Sequence, residues 1–140
     1  MSDNLNLITK LEKGRAEFAY RCVEQAIQNL PEIKKQKEYR SYVRKIPQMI
    51  ISNGLGQTLA FVFAKKKNGN AYDLIYRQLT DYLKSDAVVW KKMPDDKNEL
   101  IKWIISLKSY DYRHVTEEIL AFLNWLKRFA EGMIETEEEE

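Results

Sequence analysis

Apolar residues recur along this chain at intervals of three and four, the spacing that gathers side chains on one face of a helix. From Asn6 to Leu30 they fall at Ile8, Leu11, Phe18, Cys22, Ala26 and Leu30. Gly14 interrupts that stripe at modest cost, and Pro31 ends it by pushing the residue before it out of the α region. A second helix is expected from Glu32 to Ile46, with Tyr39, Val43 and Ile46 facing inward. Pro47 is expected to break it and to open the next helix. Asn68-Gly69-Asn70 marks a loop, and Ala71 to Leu83 repeats the pattern at Tyr72, Ile75, Leu79 and Leu83. Asp96 reads as an N-cap, with Glu99 as the reciprocal member of a capping box. Leu100, Ile101, Ile104 and Leu107 form the stripe that follows. Asp111 reads as the cap of the last helix, whose apolar face runs through Tyr112, Val115, Ile119, Phe122, Leu126, Phe129 and Met133. A second row at Leu120, Leu123, Ala130 and Ile134 widens that face, so several neighbours should pack on it. Within Ser85–Pro94, AVVW remains open between a short strand, a helix end and a buried connection.

The stretch KIPQMIISNGLGQTLAFVFAK, from Lys45 to Lys65, admits three readings. Asn53-Gly54 could turn a hairpin, the glycines could form a phosphate nest, or both could lie inside a helix. A hairpin needs a third strand or a packed face, and no clear partner strand occurs elsewhere. SNGLGQT lacks the Gly-Lys-Ser/Thr end of a phosphate loop. Helical spacing fits through Ile51, Leu55, Leu59 and Val62, so a helix is expected from Pro47 to about Ala64. Two interior glycines would each cost about 1 kcal/mol relative to alanine. Close packing of another helix or of a ligand backbone at Gly54 and Gly56 is the expected compensation.

Composition supports an all-α, compact single-domain bundle of about six helices with no significant sheet. Five glycines and three prolines in 140 residues are too few for the frequent turns of an all-β chain. Residues 1–134 are expected to form one helical domain, and 135–140 an acidic, disordered tail. The formal net charge of +2 hides a division. Met1–Lys92 holds 17 Lys+Arg against 9 Asp+Glu, and Met93–Glu140 holds 6 against 12. The body is therefore basic, which points toward a polyanionic partner. One cysteine, Cys22, excludes an internal disulfide and a thiolate metal cage. No signal peptide or membrane-spanning stretch is read, so a cytoplasmic protein with no membrane partner is expected.

No catalytic constellation assembles. The single histidine, His114, has no partner at metal or acid–base spacing, and its simplest reading is a helix-end residue making one hydrogen bond. Asp95-Asp96 reads as capping. No metal, cofactor or catalytic residue is expected. The positive signal is basic residues interleaved with aromatics. Lys37, Arg40 and Arg44 share one predicted helical face opposite Tyr39, Val43 and Ile46, with Lys34, Lys35 and Lys45 flanking it. Lys65, Lys66 and Lys67 stand at the predicted end of the glycine helix, where cations also complement the helix dipole. Together they describe a groove that would bind a phosphate backbone without reading bases.

KEYRSYVRKIPQMIISNGLGQTLAFVFAK, followed by YDYRHVTEEILAFLNWLKRFAEGM, resembles the small helical subunit of type III-B CRISPR effector complexes, the RAMP-module family. The resemblance spans about Leu7 to Ile134 and carries Tyr39, Arg40, Arg44, Pro47, Gly54, Leu55, Gly56, Gln57, Arg113 and Glu117. It implies an all-α fold with the glycine block inside a helix. It implies a non-catalytic subunit that stacks along the complex beside the backbone subunits, neighbouring copies of itself and the large subunit, helping hold guide RNA and target RNA in antiviral defence. RNA phosphate contact would then fall to Lys37, Arg40, Arg44, Lys45 and Lys65–Lys67, and close packing to Gly54 and Gly56. A protein-only spacer in the same complex is the alternative, and a small metal-independent nuclease a remote third.

Overall fold

The computed structural model describes residues 2–135, with side chains from residue 9 onward. The acidic residues beyond Glu135 lie outside that description, as does the side chain of Ile8 in the first stripe. Six helices follow in order: α1 Ser2–Asn29, α2 Ile33–Asn53, α3 Leu55–Lys65, α4 Ala71–Lys84, α5 Leu100–Ser106 and α6 Ser109–Met133. Among the described residues there is no strand.

The broad apolar face of α6 lies against both α1 and α2, and α4 fills the space beside α2 and α3. Val115, Ile119, Phe122, Leu123, Leu126 and Ala130 are all fully buried on that face. Phe122 stacks on Tyr82 of α4 with ring centres 4.2 Å apart, and Phe18 of α1 meets both rings edge-on. The widened stripe of the last helix thus becomes the centre of the molecule.

Three element boundaries differ from the sequence expectation, each for a physical reason. Pro47 neither ends α2 nor starts a new helix; it lies inside α2. Proline there removes one backbone hydrogen bond and crowds the preceding turn, at about 3 kcal/mol. Val43 and Ile46 before it and Ile50 after it are all buried on one face, so a break at Pro47 would pull Ile50 from the core. Asp96 does not cap α5, which starts at Leu100 with Glu99 as the flanking residue and no side-chain cap of its own. Asp111 does not cap α6; Lys108 holds the cap position, and Asp111 lies in the first turn, 3.7 Å from Lys91.

The open segment Ser85–Pro94 is a connection without helix or strand and only partly buried, with Trp90 exposed. Met93 is fully buried, and its amide donates to the Leu83 carbonyl at 2.8 Å. The Val89 amide donates to Glu118, a carboxylate with no solvent exposure. Arg15 of α1 donates to the other oxygen of Glu118 at 2.6 Å. Beside this pair, burial pushes the Tyr82 phenol up to about 12, with the Glu118 charge adding to it. A second buried polar chain ties three helices together: the Tyr39 hydroxyl donates to Gln78 at 2.6 Å, and Gln78 donates to the Cys22 carbonyl and to Gln25, each at 2.9 Å.

Removing one partner of a buried ion pair leaves an uncompensated charge, typically at about 3–5 kcal/mol. Arg15→Ala should therefore lower the unfolding free energy by about 3 kcal/mol in a urea titration. Arg15→Met with Glu118→Leu should recover part of that loss, and equal destabilisation by both variants would refute a charge-based origin.

Candidate nucleic-acid interface

The glycine block does not lie inside one helix, which corrects the reading of Gly54. Its backbone takes φ +89° and ψ 160° and separates α2 from α3 without an intervening loop. Residues with a side chain rarely adopt that region. The Gly54 amide closes α2 on the Ile50 carbonyl at 2.8 Å, and the Gly54 carbonyl opens α3 by accepting from Thr58 N at 3.2 Å and Thr58 Oγ1 at 2.9 Å. Gly56 stands in the first turn of α3, and its amide donates to the Tyr112 hydroxyl of α6 at 2.8 Å. A Cβ on Gly56 would stand 3.4 Å from that hydroxyl, and one on Gly54 would stand 3.7 Å from it. What approaches the glycines is therefore one phenol, which satisfies an amide that a helix start otherwise leaves unpaired.

The same device recurs at α5. The Ile101 amide donates to the Tyr76 hydroxyl at 2.9 Å, and that hydroxyl donates in turn to Glu99. Burial, then the Glu99 hydrogen bond, raises the Tyr76 phenol well above its ordinary value, so the hydroxyl keeps its proton. Helix α4 instead has a local cap: Asn70 accepts from the Asp73 amide at 2.8 Å. The Asn70 amide group also donates to the Lys65 carbonyl at 3.0 Å, fastening the end of α3 to the start of α4.

These joints divide the expected basic groove into two strips. On the first, Lys45 of α2 lies over the rings of Tyr42, Phe61 and Tyr72, at 4.9, 5.7 and 5.7 Å. Lys65 lies 5.8 Å from the same Phe61 ring. Lys66 lies over Phe63 and Tyr76, at 5.1 and 5.3 Å. Tyr42 and Tyr72 stack face to face 3.9 Å apart beneath Lys45. Lys45, Lys65 and Lys67 are exposed and Lys66 is half-buried. The ammonium groups of Lys45, Lys65 and Lys66 thus ride on aromatic faces, an arrangement that holds a cation in place without neutralising it.

The second strip turns toward α6. Arg44 is exposed and lies 3.6 Å from Glu131, while Lys37 is half-buried. Arg40 is only 4% exposed, so the open face predicted through Lys37, Arg40 and Arg44 is interrupted in the middle. His114 departs from its simplest reading as well. Its ring lies 5.0 Å from Trp90 and 4.4 Å from Tyr110, and its buried Nδ1 has no hydrogen-bond partner. Among the described residues, no three His, Cys, Asp or Glu side chains are grouped to hold a metal ion, and no helix is long and apolar enough to cross a membrane.

The ring cradle under Lys45 was not read from the sequence, where Tyr72 alone of its three rings was singled out. Its signal was an aromatic one turn from a lysine in each of two consecutive helices. Glu118 was missed too, and the signal there was plain: an acid between Val115 and Ile119 on an otherwise apolar face.

The molecule is thus of a definite class, a small helical bundle presenting lysines on aromatic faces. The model of the CRISPR-associated protein family Cas_Cmr5 matches residues 11–133, and the chain belongs to that family. It is 30% identical over 120 residues to the CRISPR system Cmr subunit Cmr5 of Thermus thermophilus, covering 86% of this chain and 92% of that protein. It also resembles the crystal structure of a CRISPR-associated Cmr5 family protein from Thermus thermophilus, with a TM-score of 0.68 and 26% identity over 89% of this chain and 97% of that one. The likeness first seen in the tyrosine–arginine and glycine blocks therefore holds for nearly the whole fold.

Gly54→Ala should cost about 1–3 kcal/mol, the usual cost of a side chain held in this backbone region. Tyr112→Phe, which removes only the capping hydroxyl, should cost about 1 kcal/mol. Thermal unfolding of both variants checks the pair; a Gly54→Ala protein as stable as the parent would exclude the positive-φ junction.

Proposed function

We propose that this protein is a non-catalytic subunit of a type III-B CRISPR effector complex that helps hold RNA through its phosphates. Family membership supports the complex, because a relative covering most of the chain is itself a Cmr subunit. The single observation that carries the RNA contact is the first strip, where Lys45, Lys65 and Lys66 stand over the rings of Tyr42, Phe61, Phe63, Tyr72 and Tyr76. Lysines fixed this way form a row of positive charge with little left to lose in side-chain freedom. The ring faces beneath them are already occupied, by an ammonium or by one another, which favours phosphate contact over base stacking. Arg44, Lys37 and Lys67 extend the basic surface; Arg40 is buried and contributes its charge rather than a direct contact.

Partners in this reading are the backbone subunits, neighbouring copies and the large subunit of the complex, together with guide and target RNA, in the cytoplasm. No cofactor enters it. A protein-only spacer is the second reading, favoured by the exposed side chains of Ile51, Trp90, Ile105 and Tyr110, each more than 60% accessible. Such residues suit contact with other subunits.

Fluorescence titration of the purified protein with a labelled oligouridine across a salt series separates the two. Each phosphate contact contributes about 0.7 to the slope of log affinity against log salt for a single strand. Lys45→Ala, Lys65→Ala and Lys66→Ala together should lower the slope by about 2 and leave the helical circular dichroism unchanged. A slope identical to that of the parent would reject the strip and leave the spacer.

A further inference from the structure

Three consecutive residues of the Ser85–Pro94 connection are fastened to successive turns of α6. The Val89 amide donates to Glu118, the Trp90 ring lies 5.0 Å from the His114 ring at an angle of 30°, and Lys91 pairs with Asp111 at 3.7 Å. Positions 118, 114 and 111 are spaced by four and three, so the segment runs antiparallel along one face of α6. Ala87 and Val88 pack against the core on one side of it, and Met93 is fully buried on the other. Trp90 is therefore held from both ends, yet it is 63% exposed. Tyr110, one turn before His114, meets the imidazole edge-on at 4.4 Å and is 74% exposed. Aromatic side chains fixed in this way have little conformational freedom left to lose on binding.

These rings differ from those under the lysines. Cation–ring contacts among the described residues fall on Phe18, Tyr42, Phe61, Phe63, Tyr72 and Tyr76, and not on Trp90 or Tyr110. The surroundings of Trp90 are nonetheless charged. Lys91 and Lys92 follow it in the chain and are paired with Asp111 and Asp86, while Lys108 and Arg113 are exposed with no acid partner among the described residues. A protein anchor residue is usually centred in a patch from which water is excluded. An open ring face beside cations is instead the arrangement that binds single-stranded nucleic acid, with a base on the ring and its phosphate near the charge. Tyr110 and Tyr112 lie about 200° apart around α6, so this surface faces away from the glycine junction that Tyr112 caps.

We propose that Trp90, backed by His114 and flanked by Tyr110, is a stacking site for an unpaired nucleobase of single-stranded RNA, separate from the lysine strip. That RNA reaches this protein rests on the phosphate-binding reading above; that a base occupies this site rests on the open rings. The two surfaces divide the work, one taking phosphates through cations and the other a base through its flat face. A purine, with the larger face, binds here better than a pyrimidine.

The test compares the full chain with Trp90→Leu, which keeps an apolar side chain without a flat ring, and with Trp90→Phe, which restores one. Binding of a labelled oligoadenylate and of an abasic oligonucleotide of equal length is measured across a salt series. Trp90→Leu should weaken oligoadenylate binding about tenfold, the effect of one stacked base. It should leave the salt slope and the abasic affinity unchanged, and Trp90→Phe should recover most of the loss. Oligoadenylate should also quench the fluorescence of the parent, in which Trp90 is the one exposed tryptophan, and the abasic strand should not. Equal affinity of parent and Trp90→Leu for oligoadenylate, or a parent that binds the abasic strand as tightly, would overturn the proposal and leave Trp90 to a protein neighbour. The phosphate-binding reading fails separately, when the triple variant at Lys45, Lys65 and Lys66 keeps the parental salt slope whatever Trp90→Leu does. A protein that binds neither oligonucleotide refutes both.

Discussion

Everything that positions the basic surface depends on one residue's backbone, the positive φ of Gly54. Because α2 ends and α3 begins on that residue, no loop separates them, and the two helices share a fixed crossing. Lys45, two turns before the junction, and Lys65, at the far end of α3, are thereby both brought to the same Phe61 ring. Asn70 then fastens the end of α3 to α4, which brings Tyr72 and Tyr76 under the lysines. A straight helix from Pro47 to Ala64, as its spacing suggests, would carry Lys65 away from Lys45. The cost of a glycine is thus an intrinsic part of the geometry, and Tyr112 stabilises the break from outside.

Charge is distributed around α2 with two different logics. Toward α3 and α4 the cations rest on rings, which hold them without cancelling them. Toward α6, Arg44 is instead paired with the Glu131 carboxylate. Adjacent residues Arg44 and Lys45 therefore belong to different electrostatic environments, as a helical step of about 100° requires. Treating the basic residues of this helix as one patch hides that distinction.

The periodic stripes carried the fold well where burial alone decides structure. Tyr39, Val43, Ile46, Ile75, Leu79, Val115, Ile119 and Phe122 all read inward, and all are buried. Helix boundaries were harder, because they depend on partners distant in sequence. Pro47 is kept helical by the core contact of Ile50, and the starts of α3 and α5 are satisfied by Tyr112 and Tyr76, which no local capping rule anticipates. Of the candidate site, the residue types and the family likeness were legible. The burial of Arg40 and the ring cradle were not, since both depend on which helix lies beside α2.

The paired tyrosine caps also bear on how the chain reaches its fold. Helices of eleven and seven residues are too short to be stable alone in water, and here an unpaired amide at the start of each finds its partner only when another helix arrives. The partners are separated by 56 residues for Gly56 and Tyr112 and by 25 for Ile101 and Tyr76. α3 and α5 therefore form with tertiary assembly and not before it, whereas α1 and α6 are long enough to fluctuate into helix early. Order in the basic surface is consequently a late and cooperative event: the lysines acquire their final spacing only when α6 has closed on the bundle.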